Sequence, residues 1–225
     1  MQSLLVAGAS SGIGAAVARH FASRVKLLHG VSRSPATAGV WIDADLTTDD
    51  GIEKIVRTRA GHALDAVVFC AGTWETGAFT ETYDFAGGPI ADIDRVIALN
   101  LVAPIKLMRA LLPALERSPK PRIVLIGALS RLDNLASREV ANSASKYGLR
   151  RAAHALREEL AGRGVGVTVL NPGNVATEEV EADIAEGRFP PQTPIPLADL
   201  LAAVECALAL SPATFASEIN LVQTS

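Results

Sequence analysis

The chain has 225 residues, 49% hydrophobic and 20% charged, with a net charge of -3. That suits one large α/β domain spanning residues 1–225, or two very small ones, and no Pro/Gly/Ser-rich linker, internal repeat or low-complexity tract divides it. No basic run exceeds two residues, which excludes nucleic acid as a main partner, because phosphate binding needs clustered Lys and Arg.

Ser3 to Ala7 reads as a short apolar strand, so near the start that no signal peptide is expected before it. It runs into Gly8-Ala9-Ser10-Ser11-Gly12-Ile13-Gly14, after which Ile13, Val17 and Phe21 mark the buried stripe of a helix. A strand, a glycine turn and a helix make a phosphate site. The glycines let the backbone approach a pyrophosphate, and the helix N-terminus supplies N–H donors and positive potential. From this motif alone, a merely structural tight turn reads equally well. Lys26 to Ser32 is the second strand, ending at Arg33 and Ser34. An acidic residue there would bind a ribose 2′-hydroxyl; an arginine suits a 2′-phosphate, or simply a solvated surface.

Val40 to Ile42 is a third strand, followed by Asp43-Ala44-Asp45-Leu46, and Thr47 or Thr48 caps a helix to about Arg59. Asp65 to Cys70 is a fourth strand, whose continuous apolar run fits burial on both faces of a parallel sheet. It ends in Ala71-Gly72. Residues 73–90 are irregular and hold Trp74, Glu75, Phe79, Tyr83 and Phe85; this reads as a lid over a substrate, with an oligomer contact as the rival. Asp92 to Glu116 is a helix with Val96, Leu99, Ala103, Leu107 and Leu111 on one stripe. Inside it, Pro104 has no N–H to give the Asn100 carbonyl; a harmless kink is the plainer reading. Asn100, Pro104, Lys106, Arg109 and Pro113 interrupt its most apolar part, so no membrane span is expected.

Arg122 to Ile126 is the fifth strand and leads to Gly127-Ala128-Leu129-Ser130. A helix then runs from Asn142 to about Gly162, with Lys146, Leu149, Ala153, Leu156 and Leu160 on its inner side. Asn142 and Lys146, four residues apart, share one face. Val165 to Leu170 is a sixth strand, ending at Asn171-Pro172-Gly173-Asn174-Val175-Ala176-Thr177. Residues 186–196 form a proline-rich second lid-like loop, Leu197 to Leu210 a last helix and Glu218 to Val222 a closing strand. Cys70 and Cys206 sit in apolar runs and read as two buried thiols of a reducing compartment, and no metal site is expected. Strands alternating with helices make a parallel α/β sheet of about seven strands with helices on both faces, whose ligand sits at the strands' carboxyl ends.

The motifs together resemble the short-chain dehydrogenase/reductase family over nearly the whole chain. The family's T-G-x-x-x-G-x-G turn matches residues 7–14, with Ala7 in place of threonine. The resemblance implies a Rossmann-type doubly wound fold with a nicotinamide cofactor along Gly8, Ser10, Ser11, Gly12, Ile13 and Gly14. Asp45-Leu46 resembles the segment that contacts adenine. Phe69-Cys70-Ala71-Gly72 resembles N-N-A-G with both asparagines lost, leaving Ala71 and Gly72 beside the cofactor. Asn100 matches the family's helix asparagine, whose carbonyl holds a relay water. Pro172, Gly173, Val175 and Thr177 match the P-G-x-V-x-T segment on the nicotinamide half. Ser32 and Arg33 then favour NADP(H) over NAD(H). A small-molecule substrate, a cytoplasmic setting and a homodimer or homotetramer built on the two long helices are implied as well.

The departures fall in the catalytic set. Lys146 stands where the family keeps its essential lysine, but the tyrosine position is Asn142. The serine position is Ala128, with Ser130 two residues late. Hydride transfer to a carbonyl leaves an alkoxide that must gain a proton, and an asparagine amide is neither acid nor base near neutrality. Losing one general acid typically costs roughly 10²–10⁴ in rate. Glu75, Tyr83 and Ser130 are the replacement donors to consider, and Trp74, Glu75 and Tyr83 the substrate contacts. Three readings follow. One is an oxidoreductase with an altered proton donor acting on C=C or C=N bonds, as some tyrosine-lacking relatives do on conjugated alkenes. The others are a non-catalytic cofactor-binding or sensing protein, and a non-redox isomerase or cyclase.

Overall fold

The computed structural model describes residues 1–129, 137–189 and 191–224. Strand β1 (Ser3–Ala7) is buried at every position. It lies between β2 (Leu27–Ser32) and β4 (Ala66–Phe69), parallel to both. Beyond β2 lies β3 (Val40–Asp43); beyond β4 come β5 (Arg122–Ile126), β6 (Gly166–Pro172) and β7 (Glu218–Leu221). The sheet has seven strands, parallel throughout, as the sequence predicts, and its order is β3-β2-β1-β4-β5-β6-β7. The chain runs one way from β1 to β3 and the other way from β4 to β7, so the crevice between β1 and β4 is where a ligand is expected.

The pleat sorts side chains between two helical layers. Leu5, Ala7, Val67, Phe69, Leu125 and Val169 pack with residues of α2 (Asp49–Thr58), α4 (Ala103–Leu115) and α5 (Val140–Leu160). Leu4, Val6, Val68, Val124 and Leu170 pack with α1 (Gly12–Phe21) and α7 (Leu197–Ala209). On α7 the inner positions are Leu200, Val204, Ala207 and Leu208, which leaves Cys206 exposed; Cys70 is half-buried. The expected pair of buried thiols is therefore corrected, because Cys206 falls between inward positions of a 3.6-residue repeat.

The helix expected over 92–116 begins earlier. Residues 90–97 form α3 (Ile90–Ile97), and Ala98–Val102 form a π turn that continues into α4. The Ala103 N–H reaches the Ala98 carbonyl five residues back, and Pro104 then opens α4, where a missing N–H costs nothing. The proline thus shifts the ladder rather than kinking it. Ile90–Leu115 is long and apolar enough to cross a membrane, yet Val96, Ala103, Leu107, Met108, Leu111 and Leu115 are buried in the core. One helix, α6 (Glu178–Ala185), has no counterpart in the expectations. The Thr177 hydroxyl accepts the Val180 N–H, and Glu178, Glu179 and Glu181 complement the N-terminal end of its dipole.

Candidate functional site

A cavity of about 1090 Å³ runs along the carboxyl ends of the central strands. At one end lies the glycine turn. Gly8 has φ +85°, and a Cβ on Gly14 would stand 2.0 Å from the Gly8 carbonyl oxygen, so the turn closes on itself as only glycine permits. Ser11 caps α1 with its backbone only, no acidic residue lies in the first turn, and the space around Gly12 is open. The unpaired N–H groups at this end fit an anionic group such as a dinucleotide's pyrophosphate.

Gly8, Ser10, Ser11, Gly12, Ile13 and Gly14 line this end of the cavity, as the resemblance implies. Ser32, Arg33, Asp45 and Leu46 line it at the carboxyl ends of β2 and β3. The Thr47 hydroxyl, then its N–H, hold the Asp45 carboxyl below its usual range, and nearby Arg33 adds to the effect. Ala71 and Gly72 follow β4, Pro172 ends β6, and Gly173, Val175 and Thr177 follow it; all line the cavity. Cys70 lines it too, and burial pushes its thiol up to about 12 against the pull of Lys146, which disfavours the thiolate.

Asn142, Lys146 and Ala128 also face the cavity, which brings the lysine and both altered positions together. Lys146 Nζ donates to the Ile126 carbonyl at 3.0 Å. Asn100 does not line the cavity: it is fully buried behind the wall. Its Oδ1 accepts the Thr73 N–H at 2.8 Å, and its Nδ2 donates to the Thr73 carbonyl at 2.8 Å and the Ser145 hydroxyl at 3.1 Å. The same Nδ2 lies 3.5 Å from Asn142 Oδ1. Its side chain therefore staples the start of the 73–90 loop to α5. Ser130 lies outside the described residues.

Of the expected substrate contacts, Trp74 lines the cavity and Glu75 and Tyr83 do not. Glu75 Oε1 accepts the N–H groups of Ala141 and Asn142 at 2.7 and 3.2 Å, and the Tyr83 hydroxyl accepts that of Val140 at 3.1 Å. Both close the N-terminus of α5. Further ties hold the first half of this loop: Asp92 accepts the Thr76 N–H, and Arg95 binds Asp92, the Thr73 hydroxyl and the Trp74 carbonyl. The expected lid over 73–90 is thus pinned from Thr73 to Tyr83. Phe79, Asp94, Arg95, Glu179, Asp183 and Phe189 line the cavity without having been singled out as contacts. The only signal in the sequence was the aromatic cluster that contains Phe79.

A family model described as short chain dehydrogenase matches residues 2–186. A short chain dehydrogenase named ausX from Penicillium brasilianum is 29% identical over 198 residues, covering 83% of this chain and 73% of that protein. A short chain dehydrogenase family protein from Francisella tularensis superposes with a TM-score of 0.82 at 20% identity, covering 98% of this chain and 96% of that one. A metagenomic short-chain oxidoreductase in complex with NADP is 27% identical with a TM-score of 0.75, covering 99% of this chain and 98% of that one. Since the family model extends from the start of β1 past the end of α6, the chain belongs to the short-chain dehydrogenase family.

Proposed function

We propose that this chain is an NADP(H)-binding oxidoreductase for small organic molecules, acting on C=C or C=N bonds at a site without the family's tyrosine and serine. The observation that carries it is one continuous cavity with the glycine turn and Arg33 along its length and Lys146, Asn142 and Ala128 beside them. The glycine turn and the N-terminus of α1 hold the pyrophosphate, Arg33 the 2′-phosphate, and Asp45 and Leu46 border the adenine. Lys146, Ala71 and Gly72 border the ribose, and Pro172, Gly173, Val175 and Thr177 the nicotinamide. When bound, the cofactor supplies a hydride equivalent. The NADP complex of the metagenomic oxidoreductase supports this reading.

The chain's own groups set the substrate class. Asn142 can donate a hydrogen bond to a substrate heteroatom but cannot give it a proton. The Ala128 side chain offers no donor. An iminium takes the hydride to give a neutral amine, and a conjugated alkene takes it to give a delocalised enolate that water can protonate afterwards, so neither depends on a tyrosine hydroxyl at the moment of transfer. Asn100 keeps α5 and the 73–90 loop in register, and so holds the Asn142 side chain against the start of that loop. Exposed Ile93 and Ile105 along α3 and α4, with Val140 and Tyr147 on α5, support pairing of these helices in a homodimer or homotetramer. The two free cysteines support a reducing, cytoplasmic setting.

Calorimetry with NADPH and NADH, followed by NADPH oxidation assays on ketone, enone and imine panels, tests the reading. NADPH should bind the tighter, simple ketones should turn over poorly, and Asn142→Tyr with Ala128→Ser should raise ketone turnover by more than the two single changes combined. Equal cofactor affinities, or strong ketone reduction unaffected by changing Asn142, would overturn it.

A further inference from the structure

Phe79 is the one non-glycine residue with a left-handed backbone among the described residues, at φ 65°. A bulky side chain adopts that conformation only where its surroundings impose it. Here they do. Its N–H donates to Glu139 Oε1 at 2.9 Å, and Glu139 is itself buried and accepts the Ser137 hydroxyl through its other oxygen. The loop before it is tied to α3 through Asp92 and Arg95. The ring is therefore aimed by backbone geometry. Its centroid lies 5.8 Å from that of Trp74, at 68°, and 5.8 Å from that of Phe189, at 49°. Phe189 comes from the connection after α6, so the two loops expected to border the substrate meet ring to ring. All three rings line the cavity.

The charges beside them are mostly negative. Asp94, Glu179 and Asp183 line the same cavity. Arg95 is engaged by Asp92, and Arg188 by Asp183 and Glu186. Glu179 is left with burial and Asp183 raising its carboxyl above the usual range.

We propose that Trp74, Phe79 and Phe189 form a substrate subsite for a flat, conjugated ring that carries no negative charge. Rings at oblique angles offer both faces and edges, which a planar π system uses and a puckered saturated ring does not. The inference rests on the functional reading above, which puts the reaction beside Asn142 and Lys146, in the same cavity.

The experiment is calorimetry on the full chain, with and without NADP+, using three probes of one skeleton: 1-tetralone, trans-1-decalone and the 6-carboxylate of 1-tetralone. Two ring contacts should make tetralone bind about tenfold tighter than decalone. The carboxylate should bind more weakly than tetralone. Phe79→Leu and Phe189→Leu should each shrink the tetralone–decalone gap to about threefold or less, with NADPH affinity unchanged. Leucine at 79 keeps the same backbone demand as phenylalanine, and position 189 has no such demand, so at least one variant reads the rings alone. Equal binding of the two ketones, no binding of either, or a gap that survives both variants would overturn the subsite. If NADPH binds and the ring preference is absent, the subsite alone fails. If NADPH does not bind, the functional reading fails, and the tetralone–decalone comparison still decides the subsite.

Discussion

Helices α1 and α5 both bring their first turns to the cavity, and they are finished in opposite ways. Ser11 caps α1 without a side-chain bond, no acidic residue follows, and nothing crowds Gly12. The first N–H groups of α5 are all taken: that of Val140 by Tyr83, and those of Ala141 and Asn142 by Glu75. Every helix leaves several such donors without a partner. One end leaves them open, as the proposed pyrophosphate contact requires, with its share of the macrodipole intact. The other is sealed by a buried carboxylate, so α5 presents side chains to the cavity, not backbone. The same physical resource is therefore left open after β1 and spent on rigidity after β5.

The largest effect should come from spoiling the open end. In Gly14→Ala the new Cβ would lie 2.0 Å from the Gly8 carbonyl oxygen and 3.2 Å from Cys70 Cβ, so the turn must unwind from its anion-binding shape. NADPH affinity measured by calorimetry should fall at least about 100-fold, or ~2.7 kcal/mol. Unchanged affinity would show that the turn does not hold the anion, and the contrast between the two helices would lose its meaning.

The sealed end should instead respond in stability. Glu75→Ala removes the acceptor for two amides inside a buried pocket, which should cost about 2 kcal/mol in chemical denaturation. Glu75→Gln keeps an acceptor without the charge and should cost about 1 kcal/mol. Glu75 Oε2 is buried with no partner among the described residues, so removing the charge also removes a desolvation cost, which keeps these figures below those for a fully paired carboxylate. Variants as stable as the parent would mean that the end of α5 needs no seal.

The sequence shows the open end and hides the sealed one, and the reason is distance along the chain. Gly8, Gly12 and Gly14 announce the turn within seven residues, and Pro104 announces its own helix irregularity because a missing N–H acts locally. Glu75 meets Ala141 and Asn142 from more than sixty residues away, so nothing in either segment marks the pairing. The conformation of Phe79 is equally hidden, since Glu139 imposes it from sixty residues on. Helix α6 carries a local signal of its own. Thr177 followed by Glu178, Glu179 and Glu181 is a capping pattern, masked by the glycine- and proline-bearing segment before it. The strands, their parallel direction and the edge of the sheet that carries the cavity follow from apolar runs alternating with helices, a signal spread over the whole chain; the strand order does not, because that alternation leaves the pairing of strands open.

Arg33 sharpens the comparison from the binding side. It is exposed beside the cavity, near an Asp45 that Thr47 keeps ionised, so its charge is partly offset at the surface. Arg33→Ala should narrow the ratio of NADPH to NADH affinity by about tenfold, ~1.4 kcal/mol, with NADH affinity nearly unchanged. The raised salt dependence of a charge–phosphate contact should vanish with it. Equal loss for both nucleotides would put Arg33 at the pyrophosphate rather than at the 2′ position.

The smallest effect belongs to Tyr83→Phe, and it separates the two roles most cleanly. Only the hydroxyl is lost, and with it the acceptor for the Val140 N–H at 3.1 Å. Tyr83 is buried, and Arg138 sits 6.0 Å from its ring centroid, so the phenyl ring keeps its packing and its cation neighbour. Val140 is 47% exposed, unlike Ala141 and Asn142, so water can replace the lost acceptor. The cost should be about 0.5–1 kcal/mol, at the low end for a hydrogen bond, seen as a fall in melting temperature of roughly 1–4 °C. NADPH affinity and the position of Lys146 should not change, because Glu75 still holds the next two amides. A larger loss would mean that water does not reach Val140 and that the seal acts as one unit. A fall in NADPH affinity at unchanged stability would mean that the end of α5 takes part in binding after all.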